Sequence, residues 1–137
     1  MFKRILRTSV VAVVMALAAV AVVESPAFAV GGCNHQFKPL GPCIDYQGGT
    51  QARADFYLNV APSDTYHSFR VAIVSNGSVQ WLNLKADFTG TGRYCCWYRS
   101  VDSMPDSWHT VFTRVNIYNS VGSLVDTVDS PSINVFD

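Results

Sequence analysis

Residues 68–85 read SFRVAIVSNGSVQWLNLK, and the Asn76-Gly77 pair at their centre decides the fold class. Both central positions of a type I′ turn need φ > 0, which asparagine and glycine tolerate, so the pair marks a two-residue hairpin. Placing Ser75 opposite Ser78 pairs Ile73 with Gln80, Val71 with Leu82 and Phe69 with Leu84 on one face. The other face pairs Val74 with Val79, Ala72 with Trp81, Arg70 with Asn83 and Ser68 with Lys85. One face is apolar and the other mostly polar, as a half-buried hairpin requires. Trp81 is the exception.

The same period of two continues on both sides. Upstream, Ala54, Phe56, Leu58 and Val60 alternate with Arg53, Asp55, Tyr57 and Asn59, which predicts a strand wetted on one side. Downstream, His109, Val111, Thr113, Val115 and Ile117 alternate with Thr110, Phe112, Arg114, Asn116 and Tyr118. Ser120-Val121-Gly122 fits a three-residue hairpin loop that sets Ile117 against Val125 and Val115 against Thr127 inside. Pro131 precedes a last strand over 132–136. Seven strands, short turns and no helix signal predict an all-β chain, a two-sheet antiparallel sandwich. Strand count and length point to an immunoglobulin-like arrangement, with a small closed β-barrel as the alternative.

The stretch Arg93-Tyr94-Cys95-Cys96-Trp97-Tyr98-Arg99 reads as another strand. Adjacent side chains on a strand face opposite ways, so a bond between Cys95 and Cys96 would distort it. Cys33 and Cys43 complete the set, and four cysteines allow three pairings. By loop entropy, a bridge closing about 60 residues contributes about 4 kcal/mol, against under about 3 for the short Cys33–Cys43 loop. The expectation is therefore two cross-links from Cys95 and Cys96 to Cys33 and Cys43, with the partner of each left open. A local Cys33–Cys43 bridge is the easier one to form.

The first residues read as a leader. Lys3, Arg4 and Arg7 precede an apolar run from Val10 to Val23, and Ala27-Phe28-Ala29 offers small residues where a signal peptidase reads. The run is shorter than the ~20 residues a membrane-spanning helix needs. Residues 1–29 are thus expected to be a secretory signal peptide cleaved after Ala29, leaving 108 of the 137 residues for one domain. The alternative is a lipoprotein acylated at Cys33, whose Val30-Gly31-Gly32 box stands apart from the apolar run. Residues 30–50 carry Gly31-Gly32, Pro39, Gly41-Pro42 and Gly48-Gly49, which predicts an irregular segment held by disulfides, with a short strand at 44–46. Residues 51–137 form the sandwich domain.

Composition bounds the function. Cleavage removes Lys3, Arg4, Arg7 and Glu24, taking Lys+Arg from 10 to 7 and Asp+Glu from 10 to 9, a net charge of −2. A nearly neutral surface with only Lys38 and Lys85 as lysines gives no reason to expect nucleic acid or an anionic membrane as partner. His35, His67 and His109 lack the spacing of metal ligands on one element, so no metal site and no cofactor are expected. There is no nucleophile elbow and no phosphate-binding glycine loop, and the mature chain has no glutamate for a glycosidase pair. No catalytic residue is assigned.

What stands out is the set of aromatics on outward strand faces: Tyr57, Trp81, Phe112 and Tyr118. Gathered on one sheet they would supply a contact platform. Covered by residues 30–50, or stacked as Trp81 on Arg70, they would be structural. The loop carrying Met104-Pro105 is a second candidate, a segment that a rigid scaffold could present to a hydrolase. These features lead to a secreted bacterial binding module, non-enzymatic, with a protein partner such as an extracellular hydrolase that it inhibits. A carbohydrate- or cell-wall-binding module using the aromatics is the alternative, and a small exported enzyme the third reading.

Overall fold

In the computed structural model, residues 30–34, 38–46, 48, 51–100 and 108–136 are described. They form ten strands and no helix. In chain order these are β1 Val30–Cys33, β2 Leu40–Tyr46, β3 Gln51–Leu58, β4 Ser68–Ser75 and β5 Ser78–Trp81. They continue as β6 Ala86–Asp87, β7 Gly92–Ser100, β8 Trp108–Tyr118, β9 Leu124–Asp129 and β10 Ile133–Phe136.

Two antiparallel sheets result. One has the order β1-β2-β3-β7; the other runs β10-β8-β4-β5, with β9 also on β8 and β6 also on β4. Since β4 takes one side of β8, β9 and β10 follow each other along the other side. In the same way β5 and β6 share one side of β4. Each sheet is thus four columns wide. That order is compatible with the immunoglobulin-like arrangement expected from strand count, and the two separate sheets differ from the single closed barrel named as alternative.

The core lies between the sheets. Leu40, Ile44, Ala54, Phe56 and Leu58 from the four-stranded sheet meet Phe69, Val71, Ile73, Val111, Val115 and Ile117 from the other. Phe56 is its hub, edge-on to Phe69 at 5.0 Å and stacked on Tyr94 at 4.9 Å and on Trp97 at 5.9 Å. Thr113 on β8 donates its hydroxyl hydrogen to the Cys43 carbonyl on β2 at 2.6 Å, a buried polar link between the layers.

The central hairpin folds as its residues dictate. Asn76 and Gly77 have φ of 46° and 83°, and Ser75 lies opposite Ser78, Ile73 opposite Gln80 and Ala72 opposite Trp81. β8 alternates as expected, with Val111, Thr113, Val115 and Ile117 fully buried. β3 buries Ala54, Phe56 and Leu58 as expected, but Asp55, expected on the wetted face, is buried as well. Four further expectations are corrected.

The first correction concerns residues 30–50, expected to be irregular but carrying two strands among the described residues. Val30–Cys33 and Leu40–Tyr46 pair as strands, Cys33 opposite Cys43. The glycines mark close approach rather than turns. A Cβ on Gly32 would lie 3.3 Å from Pro131, and one on Gly31 would lie 3.1 Å from the Ile44 carbonyl oxygen.

Disulfide pairing is the second. Cys33 bonds Cys43, and Cys95 bonds Cys96. The Cys33 and Cys43 Cα atoms are 4.0 Å apart across adjacent strands. β3 stands between β2 and β7, so Cys43 and the β7 cysteines are two strand spacings apart, roughly 9.5 Å, beyond the reach of a disulfide. The Cys33 sulfur, bonded to Cys43, is not available for acylation.

Third, β7 is not a regular strand. Ala54 opposes Trp97 and Phe56 opposes Tyr94, so the single residue Asp55 faces both Cys95 and Cys96. This is a β-bulge. The extra residue re-phases the strand, and Tyr94 and Trp97, three positions apart, both turn inward onto Phe56. β7 is an edge strand rather than the one that ties in the N-terminus.

Fourth, two strand ends shift register. β5 stops at Trp81, and Phe69 pairs with Ala86 where Leu84 was expected. Asn83 Oδ1 accepts the Val71 amide at 2.6 Å in place of a backbone carbonyl. On β9, Tyr118 faces Leu124 and Ile117 faces Asp126, which leaves Val125 as the extra residue.

Candidate functional site

The sequence-derived residues divide between the two sheets. Trp81, Phe112 and Tyr118 share the outer face of the six-stranded sheet, whereas Tyr57 lies on β3 in the other. Met104 and Pro105 lie outside the described residues. The four aromatics therefore do not form one platform.

On the outer face of the six-stranded sheet Trp81, Tyr118 and Phe112 each carry a cation. The Arg70 guanidinium lies 4.4 Å from the Trp81 ring centroid, Lys85 Nζ 4.6 Å from Tyr118, and the Arg114 guanidinium 5.5 Å from Phe112. Arg114 also grips Asp129 through Nε at 2.8 Å and a terminal nitrogen at 2.7 Å. That hydrogen bond raises the arginine above its ordinary pKa against the opposing effect of burial, with the Asp129 charge adding to the rise. Trp81, Phe112 and Tyr118 are all half-buried. The strands Val30–Cys33 and Leu40–Tyr46 belong to the opposite sheet, and the three rings are covered by their own cations. The ring faces needed to stack on a sugar are occupied by these stabilising contacts.

At one end of this sheet the surface is different. Leu84 is 87% exposed, Val121 82%, Leu124 54% and Val125 42%. The strand pattern assigned Leu84 and Val125 to the core, and the β5–β6 break and the β9 bulge turn both outward. Lys85 draws the two loops together: its Nζ sits over Tyr118 and lies 3.1 Å from the place a Cβ on Gly122 would take. The loop is closed by the Gly122 amide on the Asn119 carbonyl at 2.9 Å and by Ser120 N donating to the Asp64 carbonyl at 2.8 Å. Gly122 has φ 87°, the left-handed position expected of it. Aliphatic side chains are thus held at the rim on a hydrogen-bonded frame. Sequence pattern alone missed this cluster, because its strand alternation counted Leu84 and Val125 as core.

The other sheet's outer face is polar. Arg53 donates to Asp45 at 2.6 Å, and Arg93 grips Asp55 through Nε at 2.7 Å and through a terminal nitrogen. The hydrogen bond to Asp55, and then its charge, raise Arg93 above its ordinary pKa.

An enzyme would need a histidine and a carboxylate gathered in a cleft. A recess of ≈410 Å³ between β2 and β9 is lined by Asp126 and Asp129, and one of ≈440 Å³ on the four-stranded sheet by Asp45 and Asp55; no described histidine lines either. His109 Nδ1 lies 3.2 Å from Ser75 Oγ, but both residues are buried, and Asn76 Nδ2 is 3.2 Å from the same nitrogen. His67 and Asp87 approach to 3.5 Å on an exposed surface outside both recesses. No group of three or more histidine, cysteine or acidic residues suited to a metal occurs among the described residues, and no described helix is long and apolar enough to cross a membrane. Comparison with protein-family models, curated proteins and solved structures returned no match.

Proposed function

We propose that the chain is a secreted, non-enzymatic binding module whose partner is an extracellular protein, engaged through the aliphatic cluster Leu84, Val121, Leu124 and Val125. The exposure of that cluster carries the reading. Single exposed apolar residues are ordinary. These four stand on or beside the two loops that Lys85 links at the same end of the sheet, and such exposed apolar surface favours a protein partner. Branched aliphatics offer neither a ring face nor a hydrogen bond to a sugar, and they match the apolar side chains of another protein. The disulfides suit an oxidising compartment, in keeping with export after cleavage at Ala29. An extracellular hydrolase is the partner class to examine first.

The test is capture from culture supernatant and from cell-wall fractions on the immobilised mature protein, beside the variant Leu84→Ser/Val121→Ser. Both positions are solvent-exposed, so the variant retains its fold. A defined protein retained by the wild type and lost with the variant supports the reading. Equal retention by both, or retention of cell-wall glycan alone, overturns it.

A further inference from the structure

The outer face of the four-stranded sheet holds the ≈440 Å³ recess, within the range of about 300–1,000 Å³ usual for small-molecule sites. Cross-strand rows build it. Gly31, Asp45 and Arg53 follow one another across β1, β2 and β3. Cys33, Cys43 and Asp55 form the next row, and Tyr57 and Arg93 the third. The recess is open because Gly31 has no side chain; a Cβ there would meet the Ile44 carbonyl oxygen at 3.1 Å and Asp45 Oδ1 at 3.3 Å. The Cys33–Cys43 disulfide pins the two strands that form this side of it.

We propose that this recess binds a neutral sugar residue of a glycan, independently of the protein-binding cluster on the opposite sheet. Each guanidinium in it faces a carboxylate, Arg53 with Asp45 and Arg93 with Asp55, so the lining carries no net charge. An anion would compete with a carboxylate already in place, and a cation with a guanidinium. An apolar ligand would strip water from four charges without replacing the lost hydrogen bonds. A sugar hydroxyl both donates and accepts, and neighbouring hydroxyls match the paired edges of carboxylates and guanidinium groups. Arg53 has a further donor, its buried Nε, with no hydrogen-bond partner among the described residues. Tyr57, half-buried at the rim, supplies the ring against which the apolar side of a pyranose packs.

The test is a two-dimensional NMR titration of the mature, disulfide-intact protein with chitotriose, cellotriose and maltotriose in turn, each at millimolar concentration. Sodium phosphate and a short apolar peptide serve as the other probes. At least one trisaccharide is expected to shift the amides of Gly31, Asp45, Arg53 and Tyr57. Tyr57→Ala should weaken that binding about tenfold, the equivalent of about 1.4 kcal/mol, and Trp81→Ala should leave it unchanged. Gly31→Val fills the recess and should abolish binding; Asp45→Asn, which keeps the side-chain shape, should weaken it even if the valine distorts β1. The proposal is overturned if no trisaccharide shifts these amides, if phosphate or the peptide shifts them more strongly, or if Trp81→Ala removes the effect.

Discussion

Removing the cysteines in pairs separates the observed disulfides from the cross-linked alternative by several kcal/mol. The Cys33–Cys43 bridge spans a sequence separation of 10. In the chain-entropy model a loop of that size stabilises the fold by about 2.7 kcal/mol. The Cys95–Cys96 bridge joins neighbours and closes no loop, so the same model gives it almost nothing. Cys33→Ala/Cys43→Ala should therefore lower the unfolding free energy by about 2–3 kcal/mol, and Cys95→Ala/Cys96→Ala by less than about 1 kcal/mol. Urea denaturation followed by tryptophan fluorescence measures both, with the m-values checked for a common unfolded state. Under the cross-linked pairing either double variant would break both long bridges. Two loops of about 60 residues at about 4 kcal/mol each would then be lost in both cases, and the variants would be equally unstable. Equal losses of that size would refute the strand order that places β3 between β2 and β7.

Other outcomes follow from single contacts. Thr113→Val removes the hydroxyl that meets the Cys43 carbonyl and should cost about 0.5–1.5 kcal/mol in the same urea assay, the worth of one buried hydrogen bond. Gly77→Ala puts a Cβ at φ 83° and should cost about 1–2 kcal/mol, with the hairpin amides exchanging faster by NMR. Mass spectrometry of the exported protein should give Val30 as its first residue; a diacylglycerol group on Cys33 would contradict both the cleavage site and the Cys33–Cys43 bond.

The parts of the fold legible in the sequence are those set by local geometry. Asn76-Gly77 specifies its turn by dihedral preference alone, and the alternation from His109 to Tyr118 specifies which side of β8 is buried. What was not legible depends on neighbours across the sheets. Gly31 and Gly32 look like loop punctuation, yet they are strand residues because the Ile44 carbonyl and Pro131 approach too closely for a side chain. The long-loop disulfides are favoured by entropy in the unfolded chain, but native distance decides, and an intervening strand rules them out. The bulge at Cys95 and Cys96 exists because Tyr94 and Trp97 both find Phe56, a contact that no local pattern encodes. The candidate surfaces were hidden for the same reason. Leu84 and Val125 fit a buried alternation until Asn83 and the β9 bulge interrupt it. Tyr57 and Trp81 read alike in sequence, but one rims a polar recess and the other lies under Arg70.

The functional account rests on the aliphatic end of the six-stranded sheet, and hydrogen exchange of the protein with and without its captured partner tests it most directly. Protection is expected in the backbone amides of residues 82–86 and 119–125, where Leu84, Val121, Leu124 and Val125 are exposed in the free chain. Protection confined to β3 and β7, with those two segments unchanged, would contradict it.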